Sequence, residues 1–336
     1  MPERLTDSWD LGPVRVPNRV MLAPLAGIGT WFVRLQAKRH GAGMAVSEMV
    51  SSFAIHHRNE KTVTEMLRIH PDEHALAGVV SIQLFGQDPE IMRSAAATVA
   101  AAGADVIDLN MGCPVPKVCK TGAGAALIKD PDTAVAVARA AREGSGLPVT
   151  VKLRSGQKPG ETDGYDLAHR LVAEAGVAAI GFHPRSANVH HKGVPDYDLA
   201  AKLVASLDAP VILTGGLHDA ESVLAAYERT GAAAVMLARG SLGNPWLFEE
   251  LLGLRDAAPA EDEVVAELDW ILDRAVEHLG EPRAARWMRK AYPWYVDRLG
   301  LSKPDAKALN AELQRTGTTA DARALVRTRA AAPTLA

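Results

Sequence analysis

VVSIQLFGQDPEIMRSAAATVAAAGADVIDLN, residues 79–110, holds one complete strand–helix–strand unit. VVSIQLF (79–85) is short, apolar and β-rich. Asp88-Pro89 then opens a helical pattern, as a capping side chain followed by proline does, and Gly103 closes it. DVIDLN (105–110) is the next strand. Both runs are nearly continuous in apolar residues instead of alternating. Strands covered on both faces in a parallel sheet read this way.

The same unit recurs outward in both directions. Further runs are RVMLAP (19–24), MAVSEM (44–49), PVTVKLR (148–154), AAIGFHP (178–184), PVILTG (210–215) and AAVMLAR (233–239). Eight strand-plus-helix units predict an α/β fold of the TIM (β/α)8 barrel type. A doubly wound sheet is the alternative, but its GxGxxG phosphate loop is missing after the first strand. After Leu247 the strand signal stops. EDEVVAELDWILDRAVEHL (261–279) and EPRAARWMRKAYPWYVDRL (281–299) are helical in period. The expected organisation is a barrel over residues 1–250 and a small helical domain over 251–336. The final RAAAPTLA is expected to be disordered.

The net charge of −3 hides an asymmetry. Trp246 to Gly280 carries ten acidic and two basic residues, and Glu281 to the end carries five acidic and eleven basic. That basic tail marks a surface for an anionic partner or a solvated helix face. Two cysteines in 336 residues argue against a disulfide-stapled secreted fold. The charged start MPERLTDSWD lacks a signal peptide's apolar core, and no window approaches the ~18 apolar residues of a membrane span. A cytoplasmic chain without membrane contact is expected.

In a TIM barrel the active site lies at the carboxyl ends of the strands. Reading those ends gives Pro24, Glu48, Gln83, Asn110, Lys152, His183, Thr214 with Gly215, and Arg239. Lys152 stands out, since a lysine flanked by apolar strand residues needs a buried partner, and an anionic ligand in the barrel mouth would supply one. LTGGL after the seventh strand and LARGSLGNPW after the eighth have the character of a phosphate grip, because glycine lets backbone N–H groups approach an anion. Cys113 lies three residues past Asn110 in the loop over the mouth. Cys-x5-Cys is not a zinc-finger spacing, so no metal is expected. A loop thiol over a strand-end pocket fits a general acid or a nucleophile.

These residues resemble the tRNA-dihydrouridine synthases, most closely the bacterial B type. The motifs that carry the resemblance are APLAG (23–27), SEM (47–49), QLFG (83–86), DLNMGCPVPKV (108–118), VKLR (151–154), FHPRS (182–186) and RGSLGNPWLF (239–248). The resemblance implies an FMN-bearing barrel that reduces a uracil carbon–carbon double bond in tRNA, with NADPH as reductant. It implies that Pro24, Leu25 and Ala26 line the flavin, and that Gln83 and Lys152 hydrogen-bond its ring beside His183. Thr214, Gly215, Gly216, Ala238 and Arg239 would hold its phosphate. Cys113 would be the proton donor, as a protonated thiol, with Asn110 and Arg154 on the uracil edge. Cys119 falls at a variable position and is read as incidental. The target base must leave its stack, so the RNA needs a grip. Arg286, Arg289 and Lys290 match the family's basic tail helix. The chain departs from the family pattern at Thr214-Gly215-Gly216, where Asn-Gly-Asp is usual, and at Ala238-Arg239, where Gly-Arg is usual. FMN affinity below the family's norm is expected from this. A monomer is expected, as is alternate use of one flavin face by NADPH and tRNA, since no dinucleotide fingerprint is present. Two rivals stand: a dihydroorotate dehydrogenase-like barrel acting on a free pyrimidine, and a non-catalytic tRNA-binding protein.

Overall fold

The computed structural model describes residues 4–330. A short antiparallel hairpin comes first, β1 (Trp9–Leu11) with β2 (Val14–Val16). Eight parallel strands then close a barrel: β3 (Val20–Leu22), β4 (Met44–Ser51), β5 (Val79–Phe85), β6 (Val106–Met111), β7 (Val149–Arg154), β8 (Ala179–His183), β9 (Val211–Thr214) and β10 (Ala234–Leu237). Neighbours follow chain order, and β10 pairs with both β9 and β3. Each apolar run read from the sequence is one of these strands, and the fold is the expected TIM barrel followed by helices.

Local chemistry sets the helix boundaries. The Asp88 carboxylate accepts the Ile91 N–H at 3.0 Å and so caps helix Pro89–Ala101. Asp130 caps helix Pro131–Ser145, which ends on Gly146 in the left-handed region at φ +67°. The hairpin was not evident in the sequence. Its Trp9, Leu11 and Val16 pack with Met44, Val79, Val106, Ala179 and Ala234, residues at or near strand starts, and so fill the end of the barrel opposite the strand-end mouth.

β4 carries a bulge between Val46 and Met49. There the Gln83 N–H donates to Ser47 Oγ at 2.9 Å in place of a strand carbonyl. Bulges at barrel rims re-aim side chains. Here Glu48 turns to the preceding loop, where its carboxylate accepts the Gly27 N–H at 2.9 Å, and Met49 faces the mouth.

Two compact units divide after Gly240, ahead of the boundary at 250 set from the sequence. Helix Trp246–Leu251 thereby falls in the second unit, with Trp246, Leu247, Phe248 and Leu251 buried. Helix Glu261–Leu279 matches its predicted span. The segment 281–299 divides into helices Glu281–Met288 and Tyr292–Val296, because Pro293 has no N–H to donate to the Arg289 carbonyl four residues back, which accepts from Gln314 Nε2 at 2.7 Å instead. Of the terminal RAAAPTLA, Arg329 and Ala330 end helix Thr319–Ala330, and the rest lies outside the described residues.

Much of the tail's charge asymmetry is neutralised within this unit. Arg323 pairs with Asp269 and Asp273, and Arg327 also pairs with Asp269. Arg329 pairs with Glu312. The basic final helix thus answers the acidic helix 261–279, which narrows what remains for an outside anion. Arg283, Arg286 and Lys290 are exposed, whereas Arg289 is half-buried and its Nη2 donates to the Thr316 carbonyl at 3.3 Å. Helix Glu281–Met288 stops short of Arg289 and Lys290, so the expected cluster on one helix is shorter than read and Arg289 turns partly inward.

Candidate active site

The carboxyl ends of the barrel strands surround a cavity of about 300 Å³, at the low end of the range for small-molecule sites. The structure gathers around it Pro24, Leu25, Ala26, Gln83, Asn110, Cys113, Lys152, Arg154, His183, Thr214, Gly215, Gly216, Ala238 and Arg239. Met49, Arg185, His190 and His191 also line it. Among the lining residues are four cations, Lys152, Arg154, Arg185 and Arg239, and no carboxylate. The cavity therefore favours an anion.

Lys152 projects from the middle of β7, and Gly181 stands opposite it in register on β8, leaving its stem unobstructed. Its ammonium makes no hydrogen bond or ion pair among the described residues. Burial, reinforced by Arg154, pushes its pKa down to about 8, while Asp108 opposes the fall. This orphaned cation, facing a cavity without carboxylates, is what an anionic ring edge or phosphate would satisfy.

His183 is buried at the end of β8. Arg185 Nη1 lies 3.2 Å from its Nε2. A guanidinium only donates, so Nε2 accepts and the proton of the neutral ring sits on Nδ1. Burial, helped by the Lys152, Arg154 and Arg185 cations, drives the His183 pKa far below the ordinary imidazole range. His191 is held down to about 4 for the same reasons, and its ring lies near-parallel to that of His183 at 6.1 Å. Both imidazoles are neutral at physiological pH.

The loops after β9 and β10 meet. A Cβ on Gly240 would stand 2.8 Å from the Leu217 carbonyl and 2.7 Å from that of His218. Gly216 has φ +80°, and a Cβ there would lie 2.5 Å from Tyr197 Oη. The departure from Asn-Gly-Asp thus has a steric reason, since an aspartate at 216 would collide with Tyr197. Gly215 has φ +97°, and its missing Cβ would fall 2.4 Å from His183 Nε2. Gly215→Ala should destabilise the protein by more than about 1 kcal/mol through the unfavourable φ alone, with added cost from displacing His183. Thermal unfolding checks this, and an unchanged Tm would show that the loop reshapes freely.

Cys113 heads the loop after β6, and its backbone is tied down on every side. Asn110 Oδ1 accepts the Cys113 N–H at 2.9 Å and the Gly112 N–H at 3.3 Å. The Cys113 carbonyl accepts the Ala125 N–H at 2.9 Å and the Cys119 thiol at 3.3 Å. Cys119, read from the sequence as incidental, thus helps to hold the loop. Arg154 Nε donates to the Gly112 carbonyl at 3.0 Å, and Nη1 reaches the Ser186 and His190 carbonyls at 3.1 and 2.7 Å. Arg154 is therefore first a staple between the loops after β6 and β8. Asn110 is similarly occupied: its amide N–H groups point at Gln83 Oε1 (2.9 Å) and, weakly, at Met49 Sδ (3.7 Å). Only the second of these is available to a ligand. Gln83 in turn donates to Asp108. Arg185 went unassigned from the sequence, because its contact with His183 depends on a backbone turn that spacing does not reveal.

A cationic cleft holding a thiol at the carboxyl ends of a closed parallel barrel is the site of a (β/α)8 barrel enzyme. The chain belongs to the dihydrouridine synthase family, whose model (Dihydrouridine synthase, Dus) matches residues 21–333. It is 32% identical over 327 residues to tRNA-dihydrouridine synthase B of Shewanella oneidensis, covering 94% of this chain and 96% of that one. The corresponding Pseudomonas aeruginosa protein is 32% identical over 315 residues, covering 91% and 90%. A morphinone reductase variant in complex with tetrahydroNAD shares the fold at TM-score 0.58 and 18% identity, over 75% of this chain and 92% of that one. Among the described residues, no helix is long and apolar enough to cross a membrane.

Proposed function

We propose that this protein reduces a uridine in tRNA to dihydrouridine, with FMN held in the barrel mouth, NADPH as reductant and Cys113 as proton donor. The observation that carries the reading is the unpartnered Lys152 ammonium in a cavity that also presents Cys113. The donor set fits FMN. Lys152 would answer negative charge on the ring, and neutral His183, with Arg185 on its Nε2, would stand beside it. The glycine-bearing loops after β9 and β10, with Arg239, would take the phosphate. When bound, the flavin would supply hydride to the uracil double bond.

The protein's own part is to place the base and supply the proton. Arg154 and the Asn110 N–H now facing Met49 would meet the base's polar edge. Cys113 would give its thiol proton to the carbon next to the one that gains hydride, leaving a thiolate that is reprotonated from solvent. His183 and His191 are neutral and Lys152 is assigned to the flavin, so the thiol is the acid proposed for the base. A base drawn out of its stack needs the RNA backbone gripped outside the pocket, which is the role proposed for exposed Arg286 and Lys290, with Arg289 contributing through its outer edge.

Purified protein should show flavin absorbance that NADPH bleaches and that uridine-containing tRNA restores. Restoration by a free pyrimidine but not by tRNA would replace this reading with a small-molecule reductase. Arg286→Ala combined with Lys290→Ala should flatten the log–log salt dependence of tRNA binding by roughly 1.4–1.8 units for two lost phosphate contacts. Flavin content should not change. Parallel lines of equal affinity would make the cluster a solvated helix face.

A further inference from the structure

The barrel interior below Cys113 holds a row of polar side chains whose hydrogen bonds have a direction. Gln83, Asp108 and Thr150 stand side by side in register on β5, β6 and β7. Thr150 Oγ1 donates to Asp108 Oδ1, and Gln83 Nε2 donates to Asp108 Oδ2 at 2.6 Å. Gln83 Oε1 then accepts from Asn110 Nδ2 at 2.9 Å, and Asn110 Oδ1 accepts the Cys113 N–H at 2.9 Å.

We infer that Asp108 is a positioning residue for Cys113: as a group that only accepts, it fixes which way the Gln83 and Asn110 amides face, and through them the backbone of the Cys113 loop. The inference rests on the reading of Cys113 as the proton donor.

The two ends of the chain have fixed sign. A carboxylate accepts and a backbone N–H donates. The two amides between them do not, because an amide turned through 180° occupies almost the same volume and only its partners select its orientation. With Asp108 accepting, Gln83 must present N–H to it and oxygen to Asn110. Asn110 must then present N–H to Gln83 and oxygen to the loop. Reversing Asn110 sets N–H against N–H at Cys113, and reversing Gln83 sets N–H against N–H at Asn110 and oxygen against the Asp108 carboxylate. Asn110 is the side chain that holds the N–H groups of both Gly112 and Cys113, while the other ties hold their carbonyls. Burial raises the Asp108 pKa to about 6, so it is still a carboxylate at pH 7.5. Asp108 also acts on Lys152 by charge, and the test has to separate that effect from the directional one.

Asp108→Asn combined with Thr150→Val keeps the shape and removes the fixed sign, since no hydroxyl is left to accept the new N–H and so hold the amide oxygen toward Gln83. In the protein with its flavin, Cys113 should be alkylated by iodoacetamide several-fold faster, read at that cysteine separately from Cys119 by peptide mass spectrometry. Uridine reduction should fall about 10- to 100-fold, the scale of a misplaced catalytic group. Flavin reduction by NADPH, followed alone, reports any effect through Lys152. Adding Gln83→Glu restores the direction, since the amide introduced at position 108 can donate to the new carboxylate, whose other oxygen still accepts from Asn110. With Gln83→Glu added, slow Cys113 alkylation should return; alkylation is the readout scored, because Gln83 lines the flavin cavity and its replacement would itself lower turnover. Wild-type alkylation and turnover in Asp108→Asn combined with Thr150→Val would overturn the inference. So would an alkylation defect that Gln83→Glu leaves uncorrected, which would make Asp108 a charge partner of Lys152 only. If the wild-type protein reduces no uridine at all, the functional reading fails, yet the alkylation comparison still decides whether Asp108 orders the loop.

Discussion

Cys113→Ala should bind FMN and pass electrons from NADPH to it at the wild-type rate, while dihydrouridine formation falls by about 10²–10⁴. The substitution removes one sulfur from a loop whose backbone is held by Asn110, Ala125 and Cys119, none of which uses the Cys113 side chain. The loop should therefore keep its place, and the loss belongs to the missing proton donor. The neighbouring imidazoles are not ready substitutes: His183 is kept neutral by burial and the cations around it, and His191 is charged only below about pH 4. Separating the half-reactions by stopped flow checks this. A variant that reoxidises on tRNA at the wild-type rate would assign the proton to another group. Cys119→Ala should have a far smaller effect, since it removes one of two ties on the Cys113 carbonyl and leaves the Ala125 N–H in place.

Lys152→Met should weaken FMN binding by roughly 10- to 100-fold, the scale of a charge-assisted hydrogen bond of about 1.5–3 kcal/mol. The methionine follows the lysine stem past Gly181 and leaves the barrel folded, so loss of flavin is not loss of structure. The pH dependence has a definite sign. Lys152 in the free protein loses its proton near pH 8, and the protonated form is the one an anion prefers. Wild-type FMN affinity should therefore fall as pH rises through 8, and Lys152→Met should show no such fall. Titration of the apoprotein with FMN across that range measures both effects. Equal affinity and parallel pH curves would mean that another group answers the flavin's charge.

The barrel was legible because its strands are buried on both faces and their apolar runs need no partner to be recognised. Strand ends then placed Gln83, Asn110, Lys152 and His183 at one mouth, and the structure gathers them there. What could not be read were relations between distant residues. The hairpin Trp9–Val16 has strands of three residues, too short for periodicity to register. The buried pair Arg34–Glu73, at 2.8 Å, joins residues from separate helices and resembles ordinary surface charge in the sequence. The tail's charges were counted correctly but their partners were not visible, so ion pairs within the unit looked like a free basic surface. Asp108 carried a usable signal: like Lys152 it is a charged residue within an apolar strand, two positions from Asn110 and hence on the same face.

The central claim is that this chain makes dihydrouridine in tRNA through Cys113. Its most direct test is position-resolved dihydrouridine content of tRNA from cells lacking the gene, complemented with wild type or with Cys113→Ala. The account predicts that a defined dihydrouridine is lost on deletion, returns with wild type, and stays absent or nearly so with the variant although the variant protein accumulates with its flavin. An unchanged dihydrouridine pattern on deletion, in cells with no second protein of this family, would contradict it.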